Sequence, residues 1–458
     1  MRNLTYKTIK DITGGKARNQ SLATENEITA VVSDSRLVVE GCLFLCIEGE
    51  NVDGHDYAAQ AVANGAAIVL AEKELDIDAP YILVDSVLTA TQELARFYRR
   101  TLKVKVVGIS GSVGKTSTKE FIAAVLSMRY KVSKTKGNYN NQWGVPFTIF
   151  DIPEEAHVAV IEMGISDFGE MDRLSYMAEP DVVVLTNIGQ SHLEFLKTRD
   201  GILQAKTEIF NHMNPQANVI LNGDDDKLTS LRAVNGRRPE YFGLNRQCNV
   251  YAERIQTTSL TSSEFNVIVR DGGGRMSFHV NLPFAGKHMI YNALAATQVG
   301  MDLGVSLMDI KRALETSVQI SGRNNIIDTE KFTIIDDCYN ASPSSMRSSL
   351  ELLQNAKGRK VAILGDMLEL GENSPKYHFQ VGQFAGNCGV DLIICVGPLS
   401  DKIFSGAKLI SEGKVEYFKS LKEAMKMIPD LLIPSDTVLL KASNGMHFSQ
   451  LLEMIQKL

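Results

Sequence analysis

Tryptophan and cysteine are scarce in this chain of 458 residues: Trp143 stands alone, and there are six cysteines. Cys42, Cys46, Cys248, Cys338, Cys388 and Cys395 form no C-x-x-C pair, which argues against a zinc site or a redox dithiol. Several lie in strand-like runs, where a cysteine behaves as a small buried hydrophobe. Positive charge is not in excess. Lys and Arg total 48 against 54 Asp and Glu, a net charge of −6, whereas a general nucleic-acid binder needs a basic face. A local site for an anionic substrate stays open, because nearby loops set that field.

No uncharged apolar run reaches membrane-spanning length. The opening MRNLTYKTIKDITGG has no apolar signal core. The expectation is a cytoplasmic, reducing location without membrane insertion. Also missing are H-E-x-x-H, a Ser-His-Asp order, a nucleophilic cysteine, the dinucleotide G-x-G-x-x-G and a guanine-reading N-K-x-D. Their absence disfavours metalloprotease, serine hydrolase, dehydrogenase and GTPase readings.

What is present is GISGSVGKTSTKE at 108–120, directly after the apolar run Val104–Val107. A strand, a glycine-rich turn, a Lys-Thr pair and a helix with Phe121, Ile122, Val125 and Leu126 on its apolar face follow in order. Such a turn aims backbone N–H groups at phosphate, and the helix N-terminus adds positive potential. Gly111, Ser112, Val113, Gly114, Lys115, Thr116 and Ser117 are the candidate ATP contacts. Lys115 would reach the β/γ-phosphates and the Thr116 hydroxyl a Mg²⁺ shell. Position 109 is Ile, so the match is the shorter G-x-x-G-K-T with Gly108, Gly111 and Gly114. A glycine-rich turn with an incidental lysine is the plain alternative, which the flanking strand and helix disfavour.

Residues 1–102 mix short strands and helices, closing on the helical TATQELARFYRR (89–100). Over 103–320, HVAVIEMG, DVVVLTNIG and NVILNGDD read as buried parallel strands. Asn249–Leu282, with DGGGR at its turn, reads as antiparallel hairpins. Over 321–458 the alternation restarts with FTIIDDC, KVAILGDM, DLIICVG and DTVLLKAS. The predicted fold is α/β in three domains. A small N-terminal α/β substrate domain precedes a central P-loop-type ATPase domain with a mostly parallel sheet and a C-terminal Rossmann-like domain.

Other candidates sit at strand tips or loops. Glu162 ends HVAVIE beside the phosphate loop, where a carboxylate suits Mg²⁺ better than a solvated turn. His192, in QSHLE, is a candidate metal or phosphate contact, although a lone loop histidine is more often surface. Asn138, Asn140 and Asn141 in TKGNYNNQWGVP suit a substrate loop or an ordinary polar turn equally. Asp336 and Asp337 suit acid/base work, metal or a ribose hydroxyl, and Lys441 ends the last strand. Lys206, in ILQAKTEIF, reads on spacing as a solvated helix lysine.

Together SDSR (33–36), FLCIEGENVDGHDY (44–57), GSVGKTSTKE (111–120), GNYNNQWGVP (137–146), IEMG (161–164), TNIGQSHLE (186–194), AKTEIF (205–210), GKHMIYNALAA (286–296), DDCYNASPSSM (336–346) and LGDMLELGENS (364–374) resemble the Mur ligase family across nearly the whole chain. DDCYNASPSSM and LGDMLELGE resemble the branch that joins D-alanyl-D-alanine to UDP-N-acetylmuramoyl-tripeptide in peptidoglycan precursor synthesis. The resemblance implies ATP, two Mg²⁺ ions, an acyl-phosphate intermediate and a monomer. It implies Lys115, Lys206 and His192 as catalytic, and Thr116, Glu162, His192 and Lys206 as metal-binding, with Lys206 carbamylated. Asn292, with His288 one turn before it, Arg323 and Asp337 would contact ATP, the last two delivered by closure of the third domain. Ser35, Arg36, Asn138, Asn140, Asn141 and Asn340 would contact substrate.

Three places depart from the family pattern: Gln142-Trp143, the KAS of the final strand and the residue before His192. None removes a metal or phosphate position, and the first two bear on local substrate contacts rather than on the reaction class. The alternatives are another amide ligase of this fold, of the folate polyglutamate or cyanophycin type, and a nucleotide-binding regulator without turnover.

Overall fold

Three β-sheets organise the chain in the computed structural model, which describes residues 1–257, 259–271, 273–316 and 323–458. The first has five strands in the order Lys16–Arg18, Tyr81–Leu83, Ile68–Ala71, Leu43–Leu45, Val31–Val32, parallel except for the first pair. The second has nine. Its parallel part runs Val250–Gln256, Glu240–Gly243, Asn218–Asn222, Val182–Leu185, Lys105–Ser110, Val158–Glu162, Val132–Lys134. Ser263–Asp271 and Gly274–Leu282 extend it antiparallel, as the alternation of 249–282 predicts. The third has six strands in the order Asn325–Asp328, Thr333–Asp336, Thr437–Lys441, Lys360–Gly365, Leu392–Val396, Lys414–Phe418, antiparallel only at its first pair.

The apolar runs become central strands because both their faces are covered by helices. The edge strands Val132–Lys134 and Lys414–Phe418 are only partly buried, and their mixed composition hides them in the sequence. Gly108, read with the phosphate turn, instead lies inside the strand Lys105–Ser110, paired with Ile161 and Val183. A Cβ there would lie 3.2 Å from both Met163 and Pro180, so glycine serves close packing at that position.

The helix Val87–Thr101 closes the N-terminal unit and packs on the central one. Tyr98 stacks obliquely on Phe150 at 6.3 Å, and its hydroxyl donates to the Ile152 carbonyl. Arg96 and Arg100 both pair with Glu179. One apolar core therefore runs from Leu4 and Ile9 through Leu94 and Tyr98 to Ile149 and Leu174.

Candidate active site

The strand Lys105–Ser110 lies between the strands ending at Glu162 and at Leu185. Strand order thus puts Glu162 on one side of the phosphate loop and Thr186–Asn187 on the other. Those last two hold the loop. Ser112 N donates to Asn187 O, Val113 N to Asn187 Oδ1 at 3.0 Å, and Thr186 Oγ1 to Val113 O at 2.6 Å. Gly111, at φ +147, fits against Thr186, where a Cβ would fall 1.9 Å from Oγ1. Gly114, at φ +86, starts the helix Lys115–Ser127.

Lys115 Nζ donates to Gly111 O at 2.9 Å. Burial lowers its pKa, Glu162 opposes that shift, and Arg323 adds to it. Glu162 is 1% exposed. Its Oε1 accepts from Thr116 Oγ1 at 3.0 Å and Asn140 Nδ2 at 2.8 Å. Its Oε2 is buried without a hydrogen bond and lies 3.7 Å from the Lys119 ammonium. A buried carboxylate oxygen left this way is costly unless something else binds it.

Lys206, on the helix Arg199–Thr207, is 1% exposed, which corrects its reading as a solvated lysine. Burial first, and then repulsion from Lys115, push its pKa well below the ordinary lysine value. His192 stands at the start of the helix Leu193–Leu196 with Nδ1 2.6 Å from Glu369 Oε2.

The third sheet supplies the opposite wall. Arg323 lies over the Tyr339 ring at 4.4 Å. Asp337 accepts from Ser349 Oγ at 2.5 Å and pairs with the buried Lys441 ammonium, which also donates to Asn340 O at 3.2 Å. His288 Nε2 accepts from Asn324 Nδ2 at 2.7 Å. Burial holds its pKa at about 4, so the ring is neutral. Asn292 Oδ1 accepts from Thr118 Oγ1 at 2.9 Å.

A cavity of 420 Å³ brings together the loop from Ser112 to Ser117 with Asn140, Asn141, Glu162, His192, Asn292, Arg323, Asp337 and Asn340. An adjoining cavity of 410 Å³ shares Val113, Gly114, His288 and Asn292 with it and adds Asn187, Asp224 and Tyr291. Lys206 lies outside the lining of both, as does Asn138, which is exposed. Ser35 and Arg36 belong to the N-terminal unit, away from these walls. Ser35 is buried, and Arg36 pairs with Asp34 at 2.7 Å. Among the described residues no group of three or more His, Cys, Asp or Glu forms a metal cluster. Sequence reasoning missed the bracing by Thr186 and Asn187, the buried Lys119 and the His192–Glu369 contact. TNIG and LGDMLELGE flagged those segments without saying what they touch.

Three family profiles match: the Mur ligase family catalytic domain over 27–109, the Mur ligase middle domain over 109–300, and the Mur ligase glutamate ligase domain over 322–444. A UDP-N-acetylmuramoyl-tripeptide–D-alanyl-D-alanine ligase from Bacillus subtilis (strain 168) is 34% identical, over 98% of this chain and 97% of its own. The Escherichia coli (strain K12) protein of the same name is 34% identical, over 100% and 99%. A crystal structure of MurF from Acinetobacter baumannii superposes with a TM-score of 0.92 at 32% identity, over 99% of both chains. MurF from Thermotoga maritima in complex with ADP gives 0.82 at 30% identity, over 93% of this chain and 97% of that one.

Proposed function

The chain belongs to the Mur ligase family, and on that premise we propose that it joins D-alanyl-D-alanine to UDP-N-acetylmuramoyl-tripeptide with ATP, in peptidoglycan precursor synthesis. The observation that carries the reading is the single cavity in which the phosphate loop, Glu162 and His192 face Arg323, Asp337 and Asn340 of the third sheet. Full-length relatives at 34% identity that bear this activity in their names support it.

A free carboxylate is a poor acyl donor. The tripeptide's terminal carboxylate oxygen attacks the γ-phosphorus, the bond from that phosphorus to the β–γ bridging oxygen breaks, and ADP leaves with the electron pair. The dipeptide's amine then attacks the acyl phosphate carbonyl. An amide forms, inorganic phosphate departs, and the amine loses a proton. Lys115, whose ammonium lies on the loop backbone, offsets charge on the transferring phosphoryl group in this reading. Arg323, from the opposite wall, adds positive charge to the same cavity. The adjoining cavity, with the neutral His288, Asn292 and Tyr291, suits the nucleoside. Asn140, Asn141 and Asn340 are the substrate contacts within the cavity, and Ser35 and Arg36 are assigned to the far, UDP-sugar end of the substrate.

The donor set fits Mg²⁺. Glu162 offers a buried oxygen without a hydrogen bond, and Thr116 a hydroxyl beside it. His192 and a carbamylated Lys206 would complete the holding residues. A divalent ion bound there supplies charge neutralisation at the phosphoryl group. Lys206 fits the carbamate because burial favours its uncharged amine, the form that adds to carbon dioxide with loss of one proton. The reaction needs cytoplasmic ATP, so we assign the protein to that compartment.

A phosphate-release assay with each substrate omitted in turn tests the reading. Release should require ATP, the tripeptide nucleotide and the dipeptide together. Release with folate and glutamate instead would move the chain to another branch of the fold.

A further inference from the structure

His192 and Glu369 meet across two sheets of the molecule. His192 follows the strand Val182–Leu185 of the central sheet, and Glu369 follows Lys360–Gly365 of the third. Nδ1 of the imidazole lies 2.6 Å from Glu369 Oε2. That nitrogen is buried, and among the described residues nothing else hydrogen-bonds to it, so the Glu369 carboxylate is its one polar neighbour of this kind.

Backbone on both sides builds the contact. His192 and Glu369 are both in the left-handed region, at φ +58 and +60, which non-glycine residues seldom adopt unless their surroundings impose it. Phe195 N and Leu196 N donate to His192 O at 3.2 and 3.0 Å, and Glu194 N donates to Glu369 O at 3.2 Å. Gly371, at φ +62, lets the loop approach Glu194, whose Cα would lie 3.2 Å from a Cβ there.

A neutral imidazole has one lone pair for a cation, and the bond made by the other nitrogen decides where it is. A carboxylate at Nδ1 keeps the proton there and leaves Nε2 free to ligate. We propose that Glu369 is a positioning residue that fixes the ring and tautomer of His192 for the divalent cation, so that cation affinity is linked to docking of the C-terminal domain. The role rests on the ligase reading above. It differs from a plain domain latch, which would leave cation affinity alone once the domains have met.

The test uses the full chain with ADP and Mn²⁺ in place of Mg²⁺, and free Mn²⁺ is followed by electron paramagnetic resonance. Glu369→Ala should raise the Mn²⁺ Kd roughly 10- to 100-fold, the usual scale for outer-shell partners of a metal ligand. Glu369→Gln keeps an acceptor oxygen without the charge and should raise it by less, about three- to tenfold. In a His192→Ala background, Glu369→Ala should add almost nothing, because the residue acts through that ring. Nitrogen-15 spectra should report Nδ1 as the protonated nitrogen in the unmodified protein and mixed tautomers in the alanine variant.

An unchanged Mn²⁺ Kd in folded Glu369→Ala, or an equal effect with and without His192, would overturn the role. If the alanine variant does not fold, an unchanged Kd in Glu369→Gln overturns it equally. None of these readouts needs turnover. Failure of the unmodified protein to release phosphate with its three substrates would sink the ligase reading separately.

Discussion

Burial and the neighbouring Lys115 ammonium both penalise a protonated Lys206, so this lysine is held toward its neutral amine in the protein interior. Conversion to a carbamate would turn a destabilised cation into an anion that Lys115 attracts. Lys206→Ala should therefore lose activity by on the order of 100-fold or more, the scale of removing a charge-stabilising group. Added bicarbonate should restore part of the loss. Full activity in the alanine variant, measured as phosphate release, would remove Lys206 from the site. Glu162 was legible at this scale because a carboxylate at a strand tip beside a phosphate loop has few other uses. Lys206 was not, because a helix lysine looks the same in sequence whether it faces water or the core.

The phosphate loop is the element that chain-local chemistry specifies best. Its glycines answer to neighbours as well as to phosphate: Gly108 packs on Met163 and Pro180, and Gly111 on Thr186. Gly111→Ala would drive a methyl group into the Thr186 hydroxyl, which already donates to Val113 O. Overpacking of this kind costs about 1–3 kcal/mol. It should appear as a roughly tenfold or larger rise in the KM for ATP, with smaller change in the other two KM values. An unchanged KM for ATP would mean that the loop relaxes freely away from Thr186. The strand Lys105–Ser110 that leads into the loop reads easily as an apolar run. Which strand flanks it on which side does not, because DVVVL and HVAVI are interchangeable as hydrophobic patterns.

At the scale of the whole molecule, the N-terminal unit and the central unit are not separable pieces. Leu94, Tyr98 and Leu102 share one core with Ile149, Phe150 and Leu174. Each large apolar side chain exposed by a cut loses about 1.5–3 kcal/mol. A fragment starting at residue 103 should therefore be several kcal/mol less stable than the full chain, read as a lower urea midpoint. An equal midpoint would show that the shared core contributes little. The third sheet meets the rest in part through polar contacts around the cavity, such as Asn324 with His288 and Glu369 with His192. That arrangement suits an enzyme that closes on three ligands.

The chain by itself determined its α/β class, the phosphate loop, the parallel runs and the antiparallel hairpins of 249–282, because periodicity and glycine placement are local properties. It also carried the family, through segments such as DDCYNASPSSM and LGDMLELGE. Tertiary structure alone decided that Lys206 is buried, that Glu162 keeps one oxygen without a hydrogen bond, that Asp337 pairs with Lys441 across 104 residues and that Glu369 reaches His192. Those facts depend on desolvation and on charges brought together from distant segments, and neither quantity exists until the sheets have assembled.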